Sequence, residues 1–276
     1  TQNDAFKPVT KYFDRITRPE QILQTLPQAI QTMLDPADCG PACISICQDV
    51  QGEVYDYPEE FFKEIVHNIR RPRPDDFQIK EAAEKIKNSK NPIIISGGGV
   101  FYSDAMDELG TFAVKHNIPV TQTVMGYSTM KKDHSHFLGP IGGLGGKAAN
   151  NFAKKTDLAI AIGTKLADFT TGSWANFENP NFSLVNINVA RFDANKHMAQ
   201  SVIGDAKVSL TELSQALGDW KAPDDWYKKS RDELKSWNEY IDKESGPTNQ
   251  ELPSYAHAVG AIYRNSDPTD IAVTAA

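Results

Sequence analysis

The chain has few cysteines, no long apolar run and no long basic run, and each shortage removes a class of protein. Only 3 of its 276 residues are cysteine. They are confined to Cys39, Cys43 and Cys47, and their odd number argues against a disulfide framework. The longest unbroken apolar run, Leu158–Ile162, falls far short of the ~20 residues of a membrane-spanning helix. Basic residues form no extended block and the net charge is −7, which argues against a nucleic-acid partner and against an anionic membrane surface. Neither a G-x-S-x-G elbow nor an H-E-x-x-H motif is present. Thr1-Gln2-Asn3-Asp4 lacks an initiator Met and the basic and apolar regions of a secretion signal. The expectation is a processed or truncated cytoplasmic protein. Against these shortages, 40% hydrophobic residues and 18 glycines suffice for a sizeable core.

Residues 1–57 read as the end of a larger unit. Lys11–Ile16 is short and extended. Pro19 opens a helix at its first turn, and Ile22, Leu23, Leu26, Ile30, Met33 and Leu34 give it an apolar face of 3.6-residue period. Pro41–Cys47 follows as a strand, in which residues four apart share a face. Cys43 and Cys47 then read as small buried thiols, with no fourth ligand nearby for zinc. This αβ unit has no preceding strand to pair with, so its partners are expected upstream or in another chain. Arg70-Arg71-Pro72-Arg73-Pro74 reads as an extended, solvated linker.

From Asp75 the pattern becomes regular. A helix capped by Asp75 or Asp76 runs to Asn88, and Pro92–Ser96 is a continuous apolar strand of the kind buried in parallel sheets. Further helices are expected from Ser103 to His116, over Lys147–Lys155 and over Val208–Leu217. Further strands are expected at Ile118–Val124, Leu158–Ile162, Phe182–Val189 and Val202–Ile203. This alternation predicts an α/β fold with a Rossmann-like doubly wound parallel sheet, carrying partial flanking units. Residues 221–250 form a charged helical stretch. Leu252–Tyr263 is a new helix, and Asp270–Thr274 starts a new strand.

Three stretches could carry chemistry. Gly97-Gly98-Gly99 follows a strand, where glycine lets backbone approach a nucleotide phosphate or close a tight turn. It departs from G-x-G-x-x-G, and no acid ends the next strand. Gly139–Gly146 is a glycine-rich loop, mobile or close-packed, without P-loop register. Gly163-Thr164 opens a stretch to Gly172 in which hydroxyls, Lys165 and Asp168 lie at the ligand-binding edge of an α/β sheet. The candidate nucleotide crevice is therefore Gly97, Gly98, Gly99, Gly163 and Thr164, and the alternative is purely structural turns. His134-x-His136 lacks a third metal ligand, so no metal site is expected.

Asn91–Val100, Asp157–Thr164 with Asp168-Phe169, and Gly40–Cys47 followed by Gln48-Asp49-Val50-Gln51 together resemble the thiamine-diphosphate-dependent superfamily that contains acetolactate synthase and pyruvate oxidase. Lys11–Gln21, the Tyr55-Asp56-Tyr57-Pro58 tail and Phe169-Thr170-Thr171-Gly172-Ser173 narrow the resemblance to that superfamily's ring-opening cyclic-dione hydrolases of inositol catabolism. The resemblance implies residues 1–57 as the C-terminal part of a pyrimidine-binding domain, 58–74 as a linker and 75–220 as the Rossmann-like central domain. It further implies 221–250 as a helical linker and 251–276 as the start of a diphosphate-binding domain.

The implied reaction is hydrolysis of a C–C bond in a small cyclic dione by a homodimer or homotetramer. Thiamine diphosphate and Mg²⁺ would be held mainly by segments outside this chain, which would itself be inactive. No catalytic residue is carried over, because the chain holds no Gly-Asp-Gly motif. Lys11 is a candidate on the substrate side. An acetohydroxyacid-synthase-like carboligase with FAD or ADP in the central domain is the first alternative. A stand-alone, sirtuin-like nucleotide-binding module is the second.

Overall fold

The computed structural model describes residues 1–273 except Pro268. After a short helix, α1 (Gln2–Phe6), the first unit consists of strand β1 (Tyr12–Ile16), helix α2 (Ile22–Leu34) and strand β2 (Ala42–Ile46). The two strands pair in parallel, Tyr12 opposite Ala42 and Ile16 opposite Ile46. The partner strand that the sequence reading found missing is therefore β1. It is the segment expected to be short and extended, and what the sequence did not show is its pairing with β2. Thr25 on α2 donates to Asp14 Oδ2 at 2.5 Å and pins the helix to the strand.

Only Thr25 and Ala29 of α2 are buried, while Leu26 and Met33 are exposed. Of the predicted apolar face, Ile22, Leu23, Ile30 and Leu34 are half-buried and only Leu26 and Met33 stand open. Two strands offer a narrow platform, and small residues bring the helix close to it. The cysteines also differ from expectation: Cys39 is exposed in the loop before β2, and Cys43 and Cys47 are only half-buried. Arg15 Nε donates to Cys47 Sγ at 3.3 Å.

The second unit begins with helix α3 (Asp76–Lys87), capped by the Asp75 side chain on Phe77 N. Strand β3 (Pro92–Ser96) follows. Helices α4 (Gly98–Tyr102) and α5 (Met106–His116), strands β4 (Val120–Gln122) and β5 (Phe137–Pro140), and helix α6 (Lys147–Ala153) come next. Strand β6 (Leu158–Ile162), helix α7 (Asp168–Thr171), strand β7 (Ser183–Asn188), helix α8 (Arg191–Ala194), strand β8 (Gln200–Ile203) and helix α9 (Ala206–Leu217) complete it. The six strands form one parallel sheet in the order β5-β4-β3-β6-β7-β8.

Both faces of the sheet are covered, which is why β3 is apolar up to its last residue, Ser96, and β6 is apolar throughout. Ile94, Ile160 and Val185 pack with Ile86, Leu109, Phe112 and Leu213 from α3, α5 and α9. On the opposite face Ile93, Ile95, Leu138 and Ala161 pack with Ala148 and Phe152 of α6 and with Trp226. Each fully buried Ile or Leu contributes about 1.5–3 kcal/mol. Trp226 belongs to the long helix α10 (Asp224–Glu244), and α11 (Tyr255–Asn265) follows. Among the described residues no helix is long and apolar enough to cross a membrane.

The boundaries shift in instructive places. Helix begins directly at Gly98 and not at Ser103, and the chain breaks between α4 and α5 where Asp104 adopts φ 52°. The start of the glycine-rich stretch is strand β5, an edge strand whose Gly139 and Pro140 disguise it. Residues 270–273 form no strand, and Thr274 lies outside the described residues. The Arg70–Pro74 segment is not freely solvated: Pro74 is buried, Arg71 pairs with Asp205 at 3.2 Å, and Arg73 pairs with Glu212.

Two buried histidines titrate where folding reads them. His116 is fully buried between the Trp220 carbonyl at 2.8 Å and Ser214 Oγ at 3.0 Å, and burial lowers its pKa. His136 is 6% exposed, under the Tyr227 ring at 4.5 Å. Burial, with positive charge from His134 and Arg231, lowers its pKa to about 4. A histidine that is harder to protonate folded than unfolded stabilises the fold above its unfolded pKa. That stabilisation is lost as pH falls from about 6.5 toward 4, on the order of 2–3 kcal/mol for His136. Urea midpoints at pH 7 and 4.5 should therefore diverge less in His136→Gln than in the unsubstituted chain. Equal divergence would mean that other groups drive the acid sensitivity.

Candidate functional site

The strand order reverses between β3 and β6. Successive crossovers leave that point in opposite directions, and α/β sheets place ligand crevices there, at the carboxyl ends of the strands. Gly97, Gly98, Gly99, Gly163 and Thr164 all lie at this place. The structure brings them together and shows what glycine does there. Gly97 N donates to the Ile162 carbonyl at 2.8 Å, Gly99 N to the Gly163 carbonyl at 2.9 Å, and Gly163 N to the Ile187 carbonyl at 2.8 Å. A Cβ on Gly97 would sit 2.4 Å from the Gly163 carbonyl oxygen, and one on Gly99 2.6 Å from Gly163 Cα. Gly163 itself adopts φ +60°. Gly126, in the turn after β4, closes the other side, with its Cβ position 2.2 Å from the Ser96 carbonyl oxygen. Three turns interlock backbone to backbone.

Thr164 is buried. Its Oγ1 accepts from Leu166 N at 3.3 Å, and its carbonyl accepts from Asn188 Nδ2 at 3.2 Å. The other polar groups of this stretch do not converge. Thr171 turns inward onto its own helix, Lys165 and Asp168 are exposed, and among the described residues no ion pair or side-chain hydrogen bond joins those two. The Gly139–Gly146 stretch is close-packed: Asn150 accepts from Gly142 N and donates to its carbonyl, both at 2.9 Å, and Gly143 N donates to the Phe169 carbonyl at 2.7 Å.

Two polar residues at this edge escaped the sequence reading. Gln122, the last residue of β4, is 5% exposed and its Oε1 is buried without a hydrogen-bond partner among the described residues. Asn186 of β7 is fully buried; its Nδ2 donates to the Asp193 carbonyl at 2.8 Å, while its Oδ1 has no partner among the described residues. Buried polar atoms are normally paired, and these two have no partner among the described residues. The available signal was a carboxamide near the carboxyl end of a buried strand.

Lys11 lies apart from this edge, at the entrance to β1. It is exposed and donates to Asp38 Oδ1 at 2.8 Å, and that contact raises its pKa. His134 and His136 are neighbours, but among the described residues no cluster of three metal-ligating side chains occurs.

Residues 79–213 match the family described as thiamine pyrophosphate enzyme, central domain. Curated relatives named 3D-(3,5/4)-trihydroxycyclohexane-1,2-dione hydrolase extend the likeness beyond that segment. The protein of Clostridium perfringens strain 13 is 49% identical over 217 residues, covering 79% of this chain and 34% of the relative. That of Bacillus licheniformis is 47% identical over 222 residues, covering 80% and 35%. That of Bacillus subtilis strain 168 is 48% identical over 217 residues, covering 79% and 34%. The chain thus spans about a third of the length of the curated relatives it matches.

Proposed function

We propose, from the match of residues 79–213 to the thiamine pyrophosphate enzyme central domain, that this chain is the framework of a hydrolase that opens the ring of 3D-(3,5/4)-trihydroxycyclohexane-1,2-dione. The observation that carries the reading is the 47–49% identity to hydrolases of that name, which reaches across 79–80% of the chain. In this reading thiamine diphosphate supplies the electron sink for C–C cleavage. The chain's own residues do not fit the diphosphate. The Gly97, Gly99 and Gly163 amides are already bonded to backbone, the turns have no room for a side chain, and no metal-ligand cluster occurs among the described residues. Cofactor and Mg²⁺ are accordingly assigned to other parts of the enzyme.

The domain reading keeps residues 1–57 with the pyrimidine-binding part, 75–220 as the central domain and 251–276 with the diphosphate-binding part. Residues 58–74 and 221–250 are the connectors. The enzyme is a cytoplasmic homodimer or homotetramer, and Lys11 is its substrate-side candidate.

Hydrolytic ring opening adds one water and yields one carboxylic acid. A polypeptide of the relatives' length that contains this chain, given thiamine diphosphate, Mg²⁺ and the dione, should therefore release one proton per turnover in a pH-stat. The 276-residue chain alone should release none. No proton release from the longer polypeptide, together with acetolactate formation from pyruvate, would sink the hydrolase reading and install the carboligase.

A second reading has one observation in its favour. The unpartnered Gln122 carboxamide lies at the same edge as the Gly97–Gly99 and Gly163-Thr164 turns, where an FAD or ADP would lie. Calorimetric titration of the chain with each nucleotide decides it. No heat is expected if the turns are a packing joint, and saturable heat that disappears in Gln122→Leu supports a nucleotide.

A further inference from the structure

Strand β2 has a neighbour on one side only. Among the described residues it pairs with β1 alone. Tyr12 N donates to the Pro41 carbonyl at 3.5 Å, and Cys47 N donates to the Ile16 carbonyl at 3.2 Å. Successive residues of a paired strand turn their N–H and C=O groups to opposite sides. Cys43, Ser45 and Cys47 therefore face β1, while Ala42, Ile44 and Ile46 turn their backbone groups away from it.

Two observations mark β2 as an inner strand and β1 as an outer one. Ala42-Cys43-Ile44-Ser45-Ile46 carries no charge, like β3 and β6, and such runs belong to parallel sheets covered on both faces. Yet β3 and β6 are buried at every position, whereas each residue of β2 is half-buried or exposed, with Ile46 47% exposed. By contrast, β1 holds Asp14 and Arg15, and charged residues are a usual way to close a sheet edge. The closure is visible in the hydrogen bonds. On the side of β1 away from β2, Arg15 N donates to Asp14 Oδ1 at 2.8 Å, so an incoming strand would meet an occupied donor there.

We propose that β2 is completed on its open side by a further apolar strand, parallel to it and contributed by a part of the enzyme's polypeptide outside these 276 residues. The occupant is a strand because Ala42, Ile44 and Ile46 offer a row of donors and acceptors that an extended segment satisfies in register. It is parallel because β2 is uncharged on both faces and already lies parallel to β1. Two strands alone are marginal in water, so the added strand also accounts for how this unit holds together. The chain spans 34–35% of its curated relatives, and a polypeptide of their length has room for such a strand. The inference rests on the reading that the enzyme is a polypeptide of that length.

Amide hydrogen exchange, read residue by residue, tests it. In the 276-residue chain the Ala42, Ile44 and Ile46 amides should exchange at least about tenfold faster than those of Cys43 and Ser45. In the longer polypeptide the same three should slow by about a hundredfold or more. Proline then asks whether that protection is a ladder of hydrogen bonds. Ile44→Pro removes an outward N–H, which an edge strand tolerates and an inner strand does not, and Ile44→Ala controls for the lost side chain. The two variants should melt alike in the 276-residue chain. In the longer polypeptide Ile44→Pro should melt several degrees below Ile44→Ala, and failure to fold where Ile44→Ala folds is the same result. Fast exchange of the three amides in the longer polypeptide, or equal melting of the two variants there, overturns the proposal. Protection already present in the 276-residue chain also overturns it, and a dimer in sedimentation would then assign the edge to a second copy. If the longer polypeptide does not act on the dione, the functional reading has failed, and the exchange pattern still decides the edge.

Discussion

Gly163→Ala is expected to destabilise the chain by about 3 kcal/mol or more, far beyond the usual effect of one methyl group. Two independent costs add at this position. The backbone sits at φ +60°, a conformation that disfavours a Cβ. The added Cβ would also lie 2.5 Å from Gly99 Cα and 2.9 Å from Val100 N, and these are backbone atoms that cannot rotate away. Relief requires the ends of β3 and β6 to part, at the two central strands of the sheet. Other glycines separate the two costs. Gly218→Ala meets no atom of the described residues within 4 Å but shares a positive φ of +63°, so only the strain should appear, about 1–2 kcal/mol. Gly99→Ala meets Gly163 Cα at 2.6 Å without a positive φ, so only the collision should appear. Gly52→Ala meets neither and should be neutral or slightly stabilising. Urea unfolding of the four variants measures the series. A Gly163 variant no less stable than the Gly218 variant would show that the two turns move apart freely, and the interlocked joint would be wrong.

The same joint shows what the sequence could and could not disclose. Helix and strand periods are local signals, so β3, β6, α3 and α9 were legible, and with their alternation the doubly wound sheet. The glycines were legible as a cluster but not as partners. That Gly99 meets Gly163 across the switch point depends on strand order, and no local pattern encodes the order β3-β6. Strand β1 was legible as an extended segment but not as the partner of β2, because its Asp14 answers to Thr25 on α2 and not to an apolar layer. Strand β5 was obscured because an edge strand tolerates the glycine and proline that normally signal a loop. Arg71 and Arg73 read as solvated because their acids, Asp205 and Glu212, lie more than a hundred residues on. The unpartnered atoms of Gln122 and Asn186 needed coordinates, since a polar residue in a strand is usually paired.

Trp226→Ala should be the most damaging substitution on the opposite face of the sheet, at about 3–5 kcal/mol. Trp226 is 3% exposed, its ring lies 3.9 Å from that of Phe152, and its Nε1 donates to the Pro92 carbonyl at 2.8 Å. Truncation leaves a cavity beneath α10 and orphans a carbonyl at the start of β3, which costs more than the hydrogen bond contributed. Trp226→Phe keeps the stack and loses only the hydrogen bond, so about 1–2 kcal/mol is expected there. The change should also be felt next door. Tyr227 follows on the same helix, donates to the Ser135 carbonyl at 3.0 Å and covers His136. If Trp226 is what docks α10, its removal frees that cover, water reaches the imidazole, and the His136 pKa rises from about 4 toward the ordinary histidine range. The acid-side loss of stability between pH 6.5 and 4 should then shrink in Trp226→Ala, as it does in His136→Gln. Unfolding midpoints at pH 7 and 4.5, and the His136 ring resonances through the titration, report both effects. A Trp226→Ala chain that is much less stable at pH 7 but retains the full acid slope would mean that α10 is held over His136 by Tyr227 alone, with Trp226 acting only as core.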